Sequence, residues 1–228
     1  MDKLVCIILA RGGSKGIPHK NIVDFCGKPL ISWTIEQSLQ PEQFNSVWVS
    51  SDSAEILEIS ESYGARSIIR PDSLSDHHAT SESAWLHAID VIENRIGAID
   101  LVFAPQVTSP LREPKDIIRG IEDFQRQGYD SLFSCSVVDD LFLWEKTPEG
   151  RFESVNYDYL NRSRRQDIPD QYVENGSFYI FKPKVIRKFN NRIGGKIGVT
   201  NMELWKLFEI DTMDDLKMCE AMMKAFLL

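Results

Sequence analysis

Apolar and polar positions along this chain follow two rhythms. Short runs rich in β-branched and aromatic residues, KLVCIILA (3–10), SVWVSS (46–51), ARSIIR (65–70), IDLVFA (99–104) and SLFSCSV (131–137), predict strands. Helical patterns lie between them. Pro29 opens one carrying Leu30, Ile31, Trp33, Thr34 and Ile35, and Thr80 to Arg95 sets Trp85, Ile89 and Ile92 at near-helical spacing. Pro114 opens another, with Ile117, Ile118, Ile121 and Phe124 on one stripe before Gly128 ends it. This alternation predicts a three-layer α/β fold, a mostly parallel (mixed) sheet with helices on both faces. Nearly continuous apolar runs such as VCIILA agree with strands buried on both sides.

The rhythm breaks between Val138 and Asn175, where the chain turns polar, aromatic and turn-rich. Phe142, Trp144, Phe152, Tyr157 and Tyr159 are too many aromatics to leave in water, so this arm, near 139–175, is expected to pack on something such as a second subunit. Strand patterns return at SFYIF (177–181), KIGV (196–199) and LFEI (207–210). A closing helix places Leu216, Cys219, Met222, Met223 and Phe226 on one face. The expected organisation is one domain over 1–228 with an inserted arm, since 228 residues suffice for one sizeable core.

Charge removes some functions. Lys and Arg number 26 against 34 Asp and Glu, a net charge of −8, whereas a generic nucleic-acid binder needs a basic surplus. The apolar run Leu4–Ala10 is far shorter than the roughly 20 residues that cross a bilayer, so no membrane role and a cytoplasmic location are expected. Cys6, Cys26, Cys135 and Cys219 form no CxxC or Cys/His cluster and read as reduced thiols, with Cys6 and Cys135 inside strands.

The loop after the first strand, RGGSKGIPHKNIV (11–23), is a positive island in this acidic chain: Arg11, Lys15 and Lys20 with no acid. Ligands of open α/β sheets bind at the carboxyl ends of strands, where this loop begins. Gly12, Gly13 and Gly16 would allow positive φ and close approach of backbone N–H groups to phosphate oxygens. A Walker A loop needs Ser or Thr after its lysine, but Gly16 follows Lys15, and a dinucleotide fingerprint needs glycine where Arg11 stands.

LARGGSKGIPHKN (9–21) resembles the signature of the acylneuraminate cytidylyltransferases, the CMP-sialic and CMP-nonulosonic acid synthetases. APQVTSPLR (104–112) is similar to the family's second segment, RRQD (164–167) with ENGSFY (174–179) to its sugar-side segment, and EIDT (209–212) to its DIDT. The ordered segments span residues 9 to 212. The resemblance implies a nucleotide-diphospho-sugar transferase-like fold and transfer of CMP from CTP to the anomeric hydroxyl of a 2-keto nonulosonic acid, with pyrophosphate released. It also implies Mg²⁺ (or Mn²⁺) and a homodimer built through the arm.

Carried over residue by residue, the resemblance places the nucleotide on Arg11, Gly12, Gly13, Ser14, Lys15, Lys20, Asn21, Arg70, Thr80 and Ser81, with Lys20, Arg11 and Asp211 catalytic. Asn21 also fits a turn residue bonded to its own backbone. The sugar falls to Gln106, Arg164, Arg165, Gln166 and Asn175, guanidinium groups matching its carboxylate. RSRRQD reads equally as a solvated charge run and Gln106 as a buried structural amide. Arg112 reads as turning toward the site or as a surface ion-pair partner. Asp211 and Glu209, two apart with Ile210 pointing into the core, would hold the metal, or form a pair of rim acids.

The chain departs from the family pattern in two places: Glu209 stands where Asp is usual, and Leu143 precedes Trp144 where Lys or Arg is common. The second leaves the sugar acid open among N-acetylneuraminic, legionaminic, pseudaminic and deaminated acids. Asp214 and Asp215 read as helix-dipole partners of the last helix, and His77 and His78 as loop residues. No Ser/His/Asp or Cys/His set can be assembled for a hydrolase. Two rivals remain: a Kdo cytidylyltransferase, which RRQD and ENGSFY argue against, and a silent nucleotide-binding regulator, which Lys20 and Asp211 argue against.

Overall fold

The computed structural model describes residues 3–14, 16–76, 79–138 and 141–228, and of Arg165 the backbone alone. The expectations placed on Lys15, His77, His78 and the Arg165 side chain therefore lie outside the described residues. Chain order runs β1 (Leu4–Leu9), a small hairpin of β2 (Asp24–Phe25) and β3 (Lys28–Pro29), α1 (Leu30–Leu39), β4 (Ser46–Ser51), α2 (Ala54–Ser62), β5 (Arg66–Ile69) and α3 (Ser81–Ile96). It continues through β6 (Leu101–Pro105), α4 (Pro114–Gln127), β7 (Ser131–Val138), β8 (Trp144–Lys146), β9 (Phe152–Ser154), β10 (Gln171–Phe181), α5 (Pro183–Phe189), β11 (Ile197–Asn201) and α6 (Met213–Phe226).

Seven strands form one sheet in the order β11-β7-β10-β6-β1-β4-β5. All neighbours are parallel except β10, which runs antiparallel to β6 and to β7, so the mixed, mostly parallel sheet is as expected. The strand period of two explains how both faces fill. In β1, Leu4, Cys6 and Ile8 face one core with residues of α1, α2, α4 and α6, while Val5 and Ile7 face another with Trp85, Ala88, Ile89 and Ile92 of α3 and Ile186 of α5. Phe178 and Ile180 of β10 likewise join the first core and Tyr179 and Phe181 the second.

Helix boundaries follow local chemistry. Thr80 caps α3 by accepting from Ser83 N, and Gly128 takes the left-handed φ of 64° that ends α4. A capping box between Thr212 and Asp215 starts α6, which gives Asp215 a capping role beyond its helix-dipole effect.

LFEI is not a strand. Leu204–Leu207 forms a 3-10 turn, and the extended chain after it makes one backbone bond to the sheet region, Ile210 N to the Thr108 carbonyl (2.8 Å). Lys206, fully buried against Glu113, Asp116 and Glu203 at 2.7, 2.7 and 2.8 Å, anchors the turn.

The arm is a β8–β9 hairpin with long flanks, and the pairing of Gln171–Glu174 with Cys135–Val138 shows β10 beginning before Asn175. Its aromatics pack partly on one another, Phe142 on Tyr157 with ring centroids 4.4 Å apart and Trp144 on Tyr159 at 5.2 Å. Leu143, Trp144, Phe152, Val155, Tyr159 and Leu160 stay exposed.

Candidate active site

A cavity of about 720 Å³ opens at the carboxyl ends of β1 and β6, where Leu9 and Pro105 form part of its wall. Arg11, Gly13, Ser14, Lys20, Asn21, Arg70, Thr80, Ser81, Gln106, Glu209 and Asp211, all singled out in the sequence, line it together. These residues come from six separate stretches of chain. Their convergence is a product of the topology, since β1, β6 and the N-terminus of α3 all end at this edge.

The cradle after β1 holds its shape through hydrogen bonds outside itself. Gly12 N donates to Asp52 Oδ1 (2.9 Å), and Asp52, just past β4, also faces the Arg70 guanidinium at 3.7 Å. Asn21 donates from Nδ2 to the Arg11 carbonyl (2.9 Å), tying the two ends of the loop. Arg70 donates from Nε to Ser75 Oγ (2.8 Å); burial lowers its pKa, while Asp52 supports its charge.

Positive φ, expected of the loop glycines, falls on a histidine instead of on Gly12 or Gly13, which corrects one expectation. Neither Gly12 nor Gly13 has positive φ, and His19 takes a left-handed turn (φ 52°). A Cβ on Gly16 would lie 2.2 Å from the Asp211 carbonyl oxygen, so this glycine lets the cradle and the acidic segment touch.

Across the cavity, Lys20 Nζ donates to Asp211 Oδ1 at 2.7 Å, the lysine largely buried and the carboxylate exposed. Ile210 is fully buried between Glu209 and Asp211, as the alternation predicts. Burial and then the Asp211 charge push the Glu209 carboxyl above the usual glutamate range, with Lys20 pulling it back. A bulge in β10 makes room for Glu209: Gly176 sits at φ 63°, and a Cβ there would fall 1.6 Å from Glu209 Oε1 and 3.2 Å from Gln106 Nε2. Among the described residues no three His, Cys, Asp or Glu gather as a metal cluster. Mg²⁺ uses one or two protein carboxylates and completes its shell with phosphate and water, so Glu209 and Asp211 facing a phosphate cradle fit that ion.

Several side chains serve other ends than expected. Asn175 is buried and consumed, its Oδ1 accepting from Ser134 Oγ (2.6 Å) and Ser177 N (3.1 Å), and it does not line the cavity. Arg164 and Gln166 are exposed on the arm and lie outside the cavity wall of their own chain. Arg112 is neither a site residue nor a surface partner. Its buried guanidinium donates to the carbonyls of Gln106 (2.8 Å), Ser109 (3.0 Å) and Ser177 (2.8 Å) and to Thr34 Oγ1 (2.7 Å), and burial brings its pKa down to about 10. It braces the turn that carries Gln106.

Sequence reasoning missed Asp52, Trp85, Gly176 and Arg192. Asp52 carried a signal in standing directly after a strand end, and Gly176 in lying within ENGSFY. Arg192, which lines the cavity, pairs with Glu82 at 2.6 Å, its guanidinium carbon 4.1 Å from the Tyr179 ring centroid.

An anion cradle at strand ends, faced by two carboxylates across an open cleft, defines a nucleotide-binding α/β protein equipped for transfer at a phosphate. The family profile described as Cytidylyltransferase matches residues 5–227, and the chain belongs to that family. It is 34% identical to a pseudaminic acid cytidylyltransferase of Campylobacter jejuni, with 97% of each chain covered. It is 38% identical to N-acylneuraminate cytidylyltransferase A of Danio rerio over 80% of this chain but 42% of that protein, so it spans less than half of the fish relative. A CMP:2-keto-3-deoxy-manno-octonic acid synthetase complexed with CTP shares the fold, with a TM-score of 0.74 at 18% identity and 99% and 100% of the two chains covered.

Proposed function

We propose that this chain transfers CMP from CTP to the anomeric hydroxyl of a nonulosonic acid of the sialic or pseudaminic kind, acting in the cytoplasm as one domain with a dimerising arm. The observation that carries the reading is the pairing of the Arg11–Asn21 cradle with Glu209 and Asp211 across one cavity, in a chain aligned end to end with a pseudaminic acid cytidylyltransferase. The anomeric oxygen bonds to the α-phosphorus, the bond to the bridging oxygen breaks, pyrophosphate leaves, and the hydroxyl proton passes to solvent. Such a transfer asks the protein mainly for in-line positioning and charge neutralisation.

Arg11, Ser14 and Lys20 hold the triphosphate, and Asn21 keeps the loop closed. Arg70, Thr80 and Ser81 take the nucleoside end, and Gln106 faces the sugar. Asp211 and Glu209 would hold Mg²⁺, which would supply charge neutralisation at the phosphates. Arg164 and Arg165 reach the sugar carboxylate of the partner's site through the arm, with Gln166 on the sugar's hydroxyl or amide groups; a homodimer is supported by Arg164 and Gln166, which stand outside their own cavity wall.

The test is pyrophosphate release from CTP over a panel of acids: N-acetylneuraminic, its deaminated analogue, legionaminic, pseudaminic and Kdo. Release is expected only with CTP and a nonulosonic acid together, and Lys20→Ala should lower kcat on the order of a hundredfold or more. Kdo as the preferred acid, or full turnover in Lys20→Ala, overturns the assignment.

A further inference from the structure

We propose that Lys206 is a positioning residue for the acidic edge of the cavity: its buried ammonium fixes where the chain leaves the turn Leu204–Leu207, and so where Glu209 and Asp211 stand. The proposal rests on the reading of function above, in which those two carboxylates hold a magnesium ion.

The stretch that carries them has no regular structure of its own. Residues 208–212 lie outside every helix and strand, between that turn and α6, so their place depends on a few fastenings. Toward α6, the N–H groups of Asp211 and Thr212 both donate to Asp215 Oδ2, at 3.2 and 2.8 Å. In the middle, Ile210 is fully buried and its N–H reaches the Thr108 carbonyl at 2.8 Å. On the remaining side stands Lys206.

Its Nζ donates to Glu113 Oε2 and Asp116 Oδ2, each at 2.7 Å, and lies 2.8 Å from Glu203 Oε2. An ammonium has three hydrogens, and three carboxylates surround this one. Burying such a charge is costly unless it is satisfied in this way, and an apolar side chain would fill the same space at less cost. What an apolar side chain lacks is direction. Three bonds to carboxylates held elsewhere in the chain select one placement of the turn.

That placement reaches the cavity because the fastenings share a base. Thr108 and Glu113 lie on the connection between β6 and α4, which also carries Gln106 of the cavity wall, and Asp116 is in the first turn of α4. Glu209 is therefore bracketed by Lys206 and Ile210, both tied to the segment that holds Gln106. From residue 206 to residue 209 the chain spans at most roughly 10 Å, too short to absorb a shift of the turn. Groups that orient a metal ligand without touching the metal alter affinity about 10- to 100-fold when removed, and an effect carried by the chain belongs at the lower end.

The experiment uses the full chain with CTP and no sugar acid, so that nothing turns over. Calorimetry gives the Kd of CTP in EDTA and in excess Mg²⁺, and the ratio of the two measures how well the acidic edge engages metal together with nucleotide. Wild type is compared with Lys206→Met, Lys206→Met/Asp116→Asn and Ile186→Ala. The double variant removes the buried carboxylate charge along with the lysine, and the asparagine oxygen can still accept from Glu113 N at the start of α4, which guards against a folding defect. Ile186→Ala opens a cavity in the other core and lowers Tm without touching this edge. The metal-free Kd should stay within about threefold throughout, while the ratio falls about tenfold, or to one, in both Lys206 variants and holds in Ile186→Ala. An unchanged ratio in the double variant, an equal fall in Ile186→Ala, or a loss confined to the metal-free Kd would overturn the proposal. A wild type that does not bind CTP, or binds it equally with and without Mg²⁺, removes the functional reading of this edge and the proposal with it; a wild-type ratio above one that the Lys206 variants retain removes this proposal alone.

Discussion

Asp52 and Glu209 are both carboxylates, one bonded to the cradle and one in the cavity wall, and their surroundings give them different tasks. Asp52 is committed to Gly12 N–H and to Arg70, so it shapes the cradle. Glu209 is partly buried and faces the charges of Asp211 and Glu174, with Lys20 the opposing cation, and its pKa rises. A raised carboxyl pKa means that the folded protein holds this proton above the ordinary glutamate value of about 4.3. Any stability from that proton is present at low pH and is lost as pH rises through the raised pKa. A cation competes with the same proton, so the Mg²⁺ concentration giving half-maximal activity should fall as pH rises from about 4.5 and level off once Glu209 is ionised. Magnesium titrations across that window should show the slope in the wild type and lose most of it in Glu209→Gln. An unchanged slope would take Glu209 out of the metal site. At this scale the sequence named Lys20, Asn21, Arg70, Glu209 and Asp211 for the cavity wall. It could not separate Asn175 or Arg112 from them, because a polar side chain turned inward to brace a loop has the same letter as one turned outward to a ligand.

Elements with a strict period were legible, and those held by a single distant contact were not. The strand β4 starts and ends where SVWVSS does, and Pro114 and Gly128 bracket α4, because burial on fixed faces leaves a repeating pattern. The segment 204–210 carries the letters of a strand but takes its shape from buried Lys206, whose three carboxylates come from α4, the residue before it and Glu203. The bulge in β10 left no periodic trace either. Its Gly176 combines a left-handed φ with contact on Glu209, so Gly176→Ala should strain the backbone and displace that carboxylate. The expected cost is about 1 kcal/mol, seen as a fall in Tm of roughly 2–4 °C, with a larger Mg²⁺ requirement. A change in Tm with metal dependence untouched would show that Glu209 tolerates the intrusion.

For the whole molecule the open question is what the arm covers. Leu160 is 81% exposed and Phe152 67%, beside Leu143, Trp144 and Tyr159, an apolar surface of the kind that marks an interface. If two chains join there and each arm serves the other's cavity, an Arg164→Ala/Arg165→Ala subunit and a Lys20→Ala subunit complement one another. A heterodimer of the two holds one site with all the defects and one with none, so mixing the inactive proteins under conditions of subunit exchange should restore activity to a minority of sites. No recovery despite proven exchange would mean that each site is built from one chain, and a monomer in light scattering would dispose of the dimer itself. The fold class and strand sequence were readable because they follow from periodicity summed over the chain. The exposed arm was readable only as an imbalance of aromatics, since its apolar side chains stay in solvent and follow no burial period within a single copy.

The ion pair between Lys20 and Asp211 bears on the order in which such a cavity fills. With both partners engaged, cradle and acidic edge neutralise each other, and a stray phosphate or a stray divalent cation finds each half already taken. A triphosphate that draws Lys20 away leaves Asp211 free for a cation, and a cation seated on Asp211 leaves Lys20 free for phosphate oxygens. Each arrival does part of the other's work, so on the proposed function nucleotide and magnesium would enter most readily as one preformed unit.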